Sequence, residues 1–273
     1  MTLAASAFDH IRQLVRARSA IVLDDGKEYL VEARLAPIAK SRGYRNIEEL
    51  SAELTPARPE LMDEVVQAMT TNETSFFRDL HPFEALRQHV VPDLIQRRAK
   101  QRALRIWCGA CSSGQEPYTI AILLREHFPE LASWNVTIIG TDLSNAMLER
   151  ARAGSYRQLE VNRGLSSEQL LKYFERSGLD WRLRADIRNA VQFEHMNLVT
   201  PWPVTPPFDI VFLRNVLIYF DVEVKRSILG KVNKRLTRDG YLFLGGAEST
   251  MNIDPAFDRA PFERAGCYRL TSA

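Results

Sequence analysis

The chain has 273 residues, 45% hydrophobic and 26% charged, which excludes a disordered chain and leaves room for one large domain beside a small one. Its 36 basic and 34 acidic residues leave a formal net charge of only +2, so no whole-protein attraction to nucleic acid or anionic lipid is indicated. Asp9 and Arg12 interrupt the opening residues, no run approaches the ~18 apolar residues of a membrane span, and the three cysteines cannot all pair, so a cytoplasmic protein with reduced thiols is expected.

In chain order, apolar residues three and four apart predict helices first. Phe8, Ile11, Leu14 and Val15 share one face. Tyr29, Leu30, Ala33 and Ile38 predict a second helix that Pro37 should kink. Ile47, Leu50 and Leu54 predict a third, and Leu61, Val65, Val66 and Met69 a fourth. An amphipathic stretch follows from Pro82 to Gln96. From Leu104 onward, short β-rich runs alternate with helical patterns. Strands are expected at Leu104–Cys108, Val136–Gly140, Val191–His195, Asp209–Leu213, Tyr241–Gly245 and Cys267–Leu270. Helices are expected at Tyr118–His127, Asn145–Ala153 and Val222–Leu236, the last stopped by the turn signal Thr237-Arg238-Asp239-Gly240. Such alternation argues for a doubly wound, mostly parallel α/β sheet, with the stretch from Gly246 to Gly266 closing an antiparallel hairpin. Residues 156–190 interrupt the alternation. Ser166-Ser167-Glu168-Gln169 is a capping box opening a short helix, and Trp181, Leu183 and Ile187 suggest small strands, so an inserted subdomain is expected. The domains read as 1–76, helical, and 77–273, α/β.

The segment after the first strand, Trp107-Cys-Gly-Ala-Cys-Ser-Ser-Gly114-Gln-Glu116, invites three readings that fail. Its thiols precede a small-residue loop rather than opening a helix, unlike a dithiol redox motif. Cys108, Cys111 and distant Cys267 are too few for a zinc site. Gly109 and Gly114 have phosphate-loop spacing, but Gln115-Glu116 stands where Lys-Ser/Thr is needed. What remains is a turn that lets a ligand approach the carboxyl ends of the strands. Asp142, just past the second strand, can bind both hydroxyls of a ribose. Both features fit NAD or S-adenosylmethionine. The spacing Gly109-Ala-Cys-Ser-Ser-Gly114 is not the dinucleotide fingerprint, and Glu116 would repel a pyrophosphate while suiting a cationic methionine group.

Four blocks carry a closer likeness: Thr70-Thr-Asn-Glu-Thr-Ser-Phe-Phe-Arg-Asp79, Trp107–Tyr118, Gly140-Thr-Asp-Leu-Ser144, and Phe208-Asp-Ile-Val-Phe-Leu-Arg-Asn-Val-Leu-Ile-Tyr-Phe-Asp221. With them the chain closely resembles the CheR family of chemotaxis-receptor glutamate methyltransferases, nearly end to end. The resemblance implies a Rossmann-like class I methyltransferase sheet, a small all-helical N-terminal domain, an inserted small β subdomain, and an S-adenosylmethionine pocket closed by both domains. It implies cofactor contacts from Asn72, Thr74, Arg78, Glu116 (methionine amino group), Asp142 (ribose), Asn197 and Leu198 (adenine side), and Arg214 and Asn215. Tyr219 would lie near the methyl group. Gln115 departs from the Glu common in the loop. Phe76-Phe77 is expected to pack rather than to touch substrate.

A glutamate acceptor is ionised at neutral pH, with a reference pKa of ~4.3, and needs no general base. Arg78 and Tyr219 are therefore expected to steer the substrate carboxylate rather than to move protons. The acceptor would be the cytoplasmic helical bundle of a methyl-accepting chemotaxis receptor, with no nucleic acid, no membrane insertion, no metal and a monomeric enzyme. Arg34, Lys40, Arg42 and Arg45 form a run with no acid between Glu32 and Glu48, a solvated face read alone and a docking face toward an acidic receptor helix. The rival is a methyltransferase acting on another protein or on nucleic acid. Enzymes of base amines resemble one another in an Asn/Asp-Pro-Pro-aromatic block, and here that place reads Arg214-Asn-Val-Leu-Ile-Tyr219, without proline. Some relatives hold a receptor's C-terminal pentapeptide in a loop of the inserted subdomain; Glu175–Asp180 looks short for that, and no such binding is expected.

Overall fold

The computed structural model describes residues 3–271, in two compact units. The first contains α1 (Ala5–Ser19), α2 (Glu28–Ser41), α3 (Ile47–Ala52) and α4 (Pro59–Ala68). Their apolar stripes close a small core in which Ile11, Val15, Val31, Leu35, Leu50 and Val65 are fully buried. Asn46 caps α3 by accepting the Glu49 N–H, and Pro59 opens α4, where no N–H is needed. Pro37 sits inside α2 without ending it. Tyr219–Val224 belongs to the same unit. There the Tyr219 carbonyl accepts the Val22 N–H at 3.1 Å.

The chain enters the second unit at Asn72, ahead of the division after residue 76 read from the sequence. The reason is packing: Phe76 is fully buried edge-on against Tyr156 and Phe174, and the Phe77 N–H donates to Thr119. The expected helix from Pro82 to Gln96 is α5 (His81–Ala85) and α6 (Val91–Arg97), joined by a π turn at Leu86–Val90. The wide turn precedes Pro92, whose ring nitrogen cannot donate to the helix ladder.

The sheet then alternates with helices: β1 (Ala103–Gly109), α7 (Gln115–His127), β2 (Asn135–Asp142) and α8 (Asn145–Ala153). The inserted segment holds β3 (Ser155–Arg157), α9 (Gln158–Val161), α10 (Ser167–Tyr173), β4 (Phe174–Ser177), β5 (Asp180–Leu183) and α11 (Ala185–Arg188). The main sheet resumes with β6 (Val191–His195), β7 (Phe208–Leu213), α12 (Val222–Asn233), β8 (Leu236–Leu244), β9 (Phe257–Arg259) and β10 (Cys267–Leu270).

The seven main strands lie in the order β6-β2-β1-β7-β8-β10-β9. β10 runs antiparallel to both its neighbours, and the other pairs are parallel. This is the doubly wound sheet expected, closed by the expected antiparallel strand. Every residue of β7 is buried, as befits a central parallel strand covered on both faces. The order reverses between β1 and β7, so a crevice for ligands opens beyond Gly109 and Leu213.

Three local readings are corrected. α12 ends at Asn233, and Thr237–Gly240, read as a turn, lies inside β8. There the β7–β8 register shifts between Phe208 and Ile210, and Gly240 is needed because a Cβ would stand 2.9 Å from the Asp209 carbonyl oxygen. Ile187, read as strand, is helical in α11. The inserted subdomain is a three-stranded antiparallel sheet, β3-β5-β4, whose β4–β5 hairpin turns on Gly178-Leu179.

Candidate active site

The crevice is built from loops at the carboxyl ends of the strands. After β1 the chain makes a tight turn in which Ala110, Ser112 and Gly114 have φ of 54°, 50° and 90°. The turn brings the Ser112 N–H to Asp142 Oδ2 at 2.8 Å and the Ser112 hydroxyl to the Asn72 carbonyl at 2.8 Å. Asp142 Oδ1 accepts the Ser144 N–H at 2.8 Å. Each carboxylate oxygen thus has a fixed backbone donor, the Leu143 N–H adds to them, and acceptor capacity remains for a ligand hydroxyl. Burial pushes the Asp142 carboxyl up, against the pull of those N–H groups.

Glu116 stands in the first turn of α7. Its Oε2 accepts from Arg214 Nη1 at 2.8 Å, while Arg214 Nη2 donates to Asp79 Oδ2 at 2.7 Å and to the Arg78 carbonyl at 3.1 Å. The Arg214 side chain is 1% exposed and its guanidinium lies 5.6 Å from the Phe83 ring centroid. Its Nε is buried without a partner among the described residues. Burial raises the Glu116 carboxyl above the ordinary range, with Arg214 pulling the other way. Asn215, next in chain, has φ of 58°, a conformation that non-glycine residues adopt at a cost of order 1–3 kcal/mol where the surroundings demand it.

The remaining candidates are held by local contacts. Half-buried Thr74 lies in the same segment as Asn72. Arg78 Nη1 donates to the Glu73 carbonyl at 2.7 Å. After β6, Asn197 Oδ1 accepts the Val199 N–H at 3.1 Å. Leu198 is buried, and its carbonyl is held by Lys231 Nζ at 2.9 Å and Trp202 Nε1 at 3.1 Å. Tyr219 falls in the helical unit. So do the four basic residues, three of which have partners within that unit. Arg34 reaches the Met69 carbonyl at 2.7 Å, Arg42 pairs with Glu64 at 2.7 Å, and Arg45 pairs with Glu49 at 3.2 Å.

Sequence reasoning missed three residues here. Asp79 and Ser112 stood inside quoted blocks but had no assigned part. Glu248 accepts five backbone N–H groups, from Asn215, Val216, Leu217, Ile218 and Gly245. Its signal was present, since an acid just past a strand is the pattern that singled out Asp142. Among the described residues no cluster of His, Cys, Asp and Glu could hold a metal ion.

The donor set suits a nucleoside carrying a positive charge. Glu116 and Asp79 meet on Arg214 after β7 and Asp142 closes β2, three carboxylates to one arginine, which favours an ammonium or sulfonium and a ribose diol and disfavours a pyrophosphate. Fold and site together define a class I type of S-adenosylmethionine-dependent methyltransferase. Residues 6–70 match the family described as CheR methyltransferase, all-alpha domain, and residues 72–265 match CheR methyltransferase, SAM binding domain. The chain belongs to the CheR methyltransferase family. It is 43% identical to chemotaxis protein methyltransferase 1 of Pseudomonas aeruginosa, over 93% of each chain. It is 41% identical to chemotaxis protein methyltransferase Cher2 of Pseudomonas putida, over 89% of this chain and 90% of that one. A chemotaxis protein methyltransferase of Vibrio parahaemolyticus is 36% identical over 99% of this chain and 98% of its own.

Proposed function

We propose that this enzyme methylates glutamate side chains in the helical bundle of chemotaxis receptors, giving glutamate methyl esters and S-adenosylhomocysteine. The observation that carries the reading is that the site's carboxylates are already engaged. Glu116 and Asp79 hold Arg214, and Asp142 holds the Ser112 and Ser144 amides. None is left as a dedicated base for an amine or hydroxyl, so an acceptor that arrives ionised suits the site. Membership of the CheR family and relatives named chemotaxis protein methyltransferases support a role in chemotaxis.

S-adenosylmethionine supplies an electrophilic methyl group on a sulfonium. In our reading Asp142 holds the ribose hydroxyls, and Glu116 holds the methionine ammonium through Oε1. Asn197 and Leu198 flank the adenine, while Asn72, Thr74, Arg78, Arg214 and Asn215 complete the cradle. Arg78 and Tyr219 steer the acceptor carboxylate. Holding reactants in line is worth roughly 7–11 kcal/mol in favourable cases, and charge is neutralised as the bond forms, so a dry crevice helps. Lys40, with Arg34, Arg42 and Arg45, forms the docking face toward an acidic receptor helix. The same reading makes the enzyme a cytoplasmic monomer that neither enters the membrane nor methylates nucleic acid; among the described residues no helix is long and apolar enough to cross a membrane. The test is transfer of labelled methyl groups to receptor-bearing membranes, with DNA and RNA as acceptors that should take none.

A further inference from the structure

Glu248 follows β8 in Gly245-Gly-Ala-Glu248 and has no part in the cradle proposed above. It is only 8% exposed. A buried carboxylate needs several donors, and this one has them all from the backbone. Oε1 accepts the N–H of Val216 at 2.8 Å, Leu217 at 2.7 Å and Ile218 at 3.3 Å. Oε2 accepts the N–H of Asn215 at 2.7 Å and of Gly245 at 2.6 Å. Four consecutive amides after β7 therefore converge on one side chain, which also fastens them to the end of β8. Without it the buried Leu217 and Gly245 N–H groups and the partly buried ones of Asn215, Val216 and Ile218 would lose this acceptor. The contact reaches Gly245 as well, where a Cβ would lie 2.7 Å from both Glu248 Oε2 and Asn215 Nδ2.

The turn so gripped begins with Arg214 and Asn215. Asn215 is held at φ 58°, and Arg214 reaches Glu116 and Asp79 from the residue before it. A shift of the turn would move both. We propose that Glu248 is a positioning residue for methyl transfer, fixing the turn that presents Arg214 and Asn215 while touching neither reactant. The inference rests on the methyltransferase reading given above.

Two variants test it in the full chain. Glu248→Gln keeps the shape but turns one acceptor oxygen into an amide that faces backbone donors. Gly245→Ala keeps the carboxylate but pushes it off the turn. Both are assayed for receptor methylation well below their unfolding temperatures. We expect kcat to fall at least about tenfold, the cost of one lost charge-assisted hydrogen bond, with KM for receptor changed less than about twofold. A role confined to stability would lower the unfolding temperature and leave kcat of the folded enzyme unchanged. Unchanged kcat in both folded variants, or a loss lying wholly in receptor KM, overturns the proposal. If the wild-type enzyme labelled no receptor, the acceptor assignment alone would fail. Calorimetry with S-adenosylhomocysteine then decides: about tenfold weaker binding in both variants supports the positioning role, and unchanged affinity overturns it.

Discussion

Asp142 shows how much one buried acid can be made to do. Its backbone donors orient both oxygens toward the crevice, so its removal should cost a ligand two hydroxyl contacts at once. Asp142→Ala is expected to weaken S-adenosylhomocysteine binding at least about tenfold, since a hydrogen bond to a charged group is worth about 1.5–3 kcal/mol. Unchanged affinity by calorimetry in a folded variant would contradict the ribose assignment. Glu116 adds a pH dependence. Burial raises its carboxyl above the ordinary range of ~4.3, and a methionine ammonium needs it ionised. Affinity for S-adenosylmethionine should therefore fall as pH drops through the raised value, before an ordinary glutamate would titrate, and binding there should release protons. For folding, the penalty of burying Glu116 is full above that raised value, shrinks as pH falls through it, and vanishes only below the ordinary glutamate range. A binding enthalpy independent of buffer, with affinity flat into the ordinary carboxylate range, would contradict this.

At the scale of elements, strands and helices with strong local patterns were legible. Val191–His195 and Asn145–Ala153 match to the residue, because alternation and the Ser144 cap are local signals. The start of β8 was not. Thr237–Gly240 carries turn residues, and only pairing with β7 makes it a bulged strand. The acids that build the site were visible one by one but their partners were not, because Asp79 meets Arg214, and Glu248 meets Asn215, only after the sheet has formed. The partners of the basic run were hidden in the same way: Glu64 lies far along the chain from Arg42 and pairs with it in the fold. Arg98 shows such a long-range device at the amino ends of the strands. It donates to Asp209 at 2.9 Å and to both oxygens of Asp239 at 2.8 and 2.6 Å, fastening the end of α6 to β7 and the β8 bulge. Arg98→Ala is expected to destabilise the α/β unit by about 2–3 kcal/mol in urea unfolding, since it removes the main partner of two partly buried carboxylates and leaves them the Arg105 N–H and Arg97. Arg98 holds Asp239 down to about 2, so this stabilisation is present above the usual aspartate range and is lost as pH falls through about 2. The variant's deficit should shrink over that interval; a deficit below about 1 kcal/mol at neutral pH would show the cluster to be a surface ornament.

For the whole molecule, the near-neutral total charge leaves receptor docking to local faces. Replacing Arg42 and Arg45 by Glu should raise KM for receptor while leaving cofactor affinity unchanged, and added salt should mimic the defect, because exposed charges are screened within about 10 Å at 0.1 M. Methylation kinetics indifferent to both would leave the run as a solvated, ion-paired face. The chemical nature of the product tests the carboxylate acceptor most directly. A methylated carboxylate is an ester, which mild alkali hydrolyses with release of methanol, whereas N-methyl and C-methyl products survive. Tritiated methyl groups transferred from S-adenosylmethionine to receptor protein should become volatile after brief base treatment. Label that stays bound after base, or that appears in nucleic acid, would contradict the account.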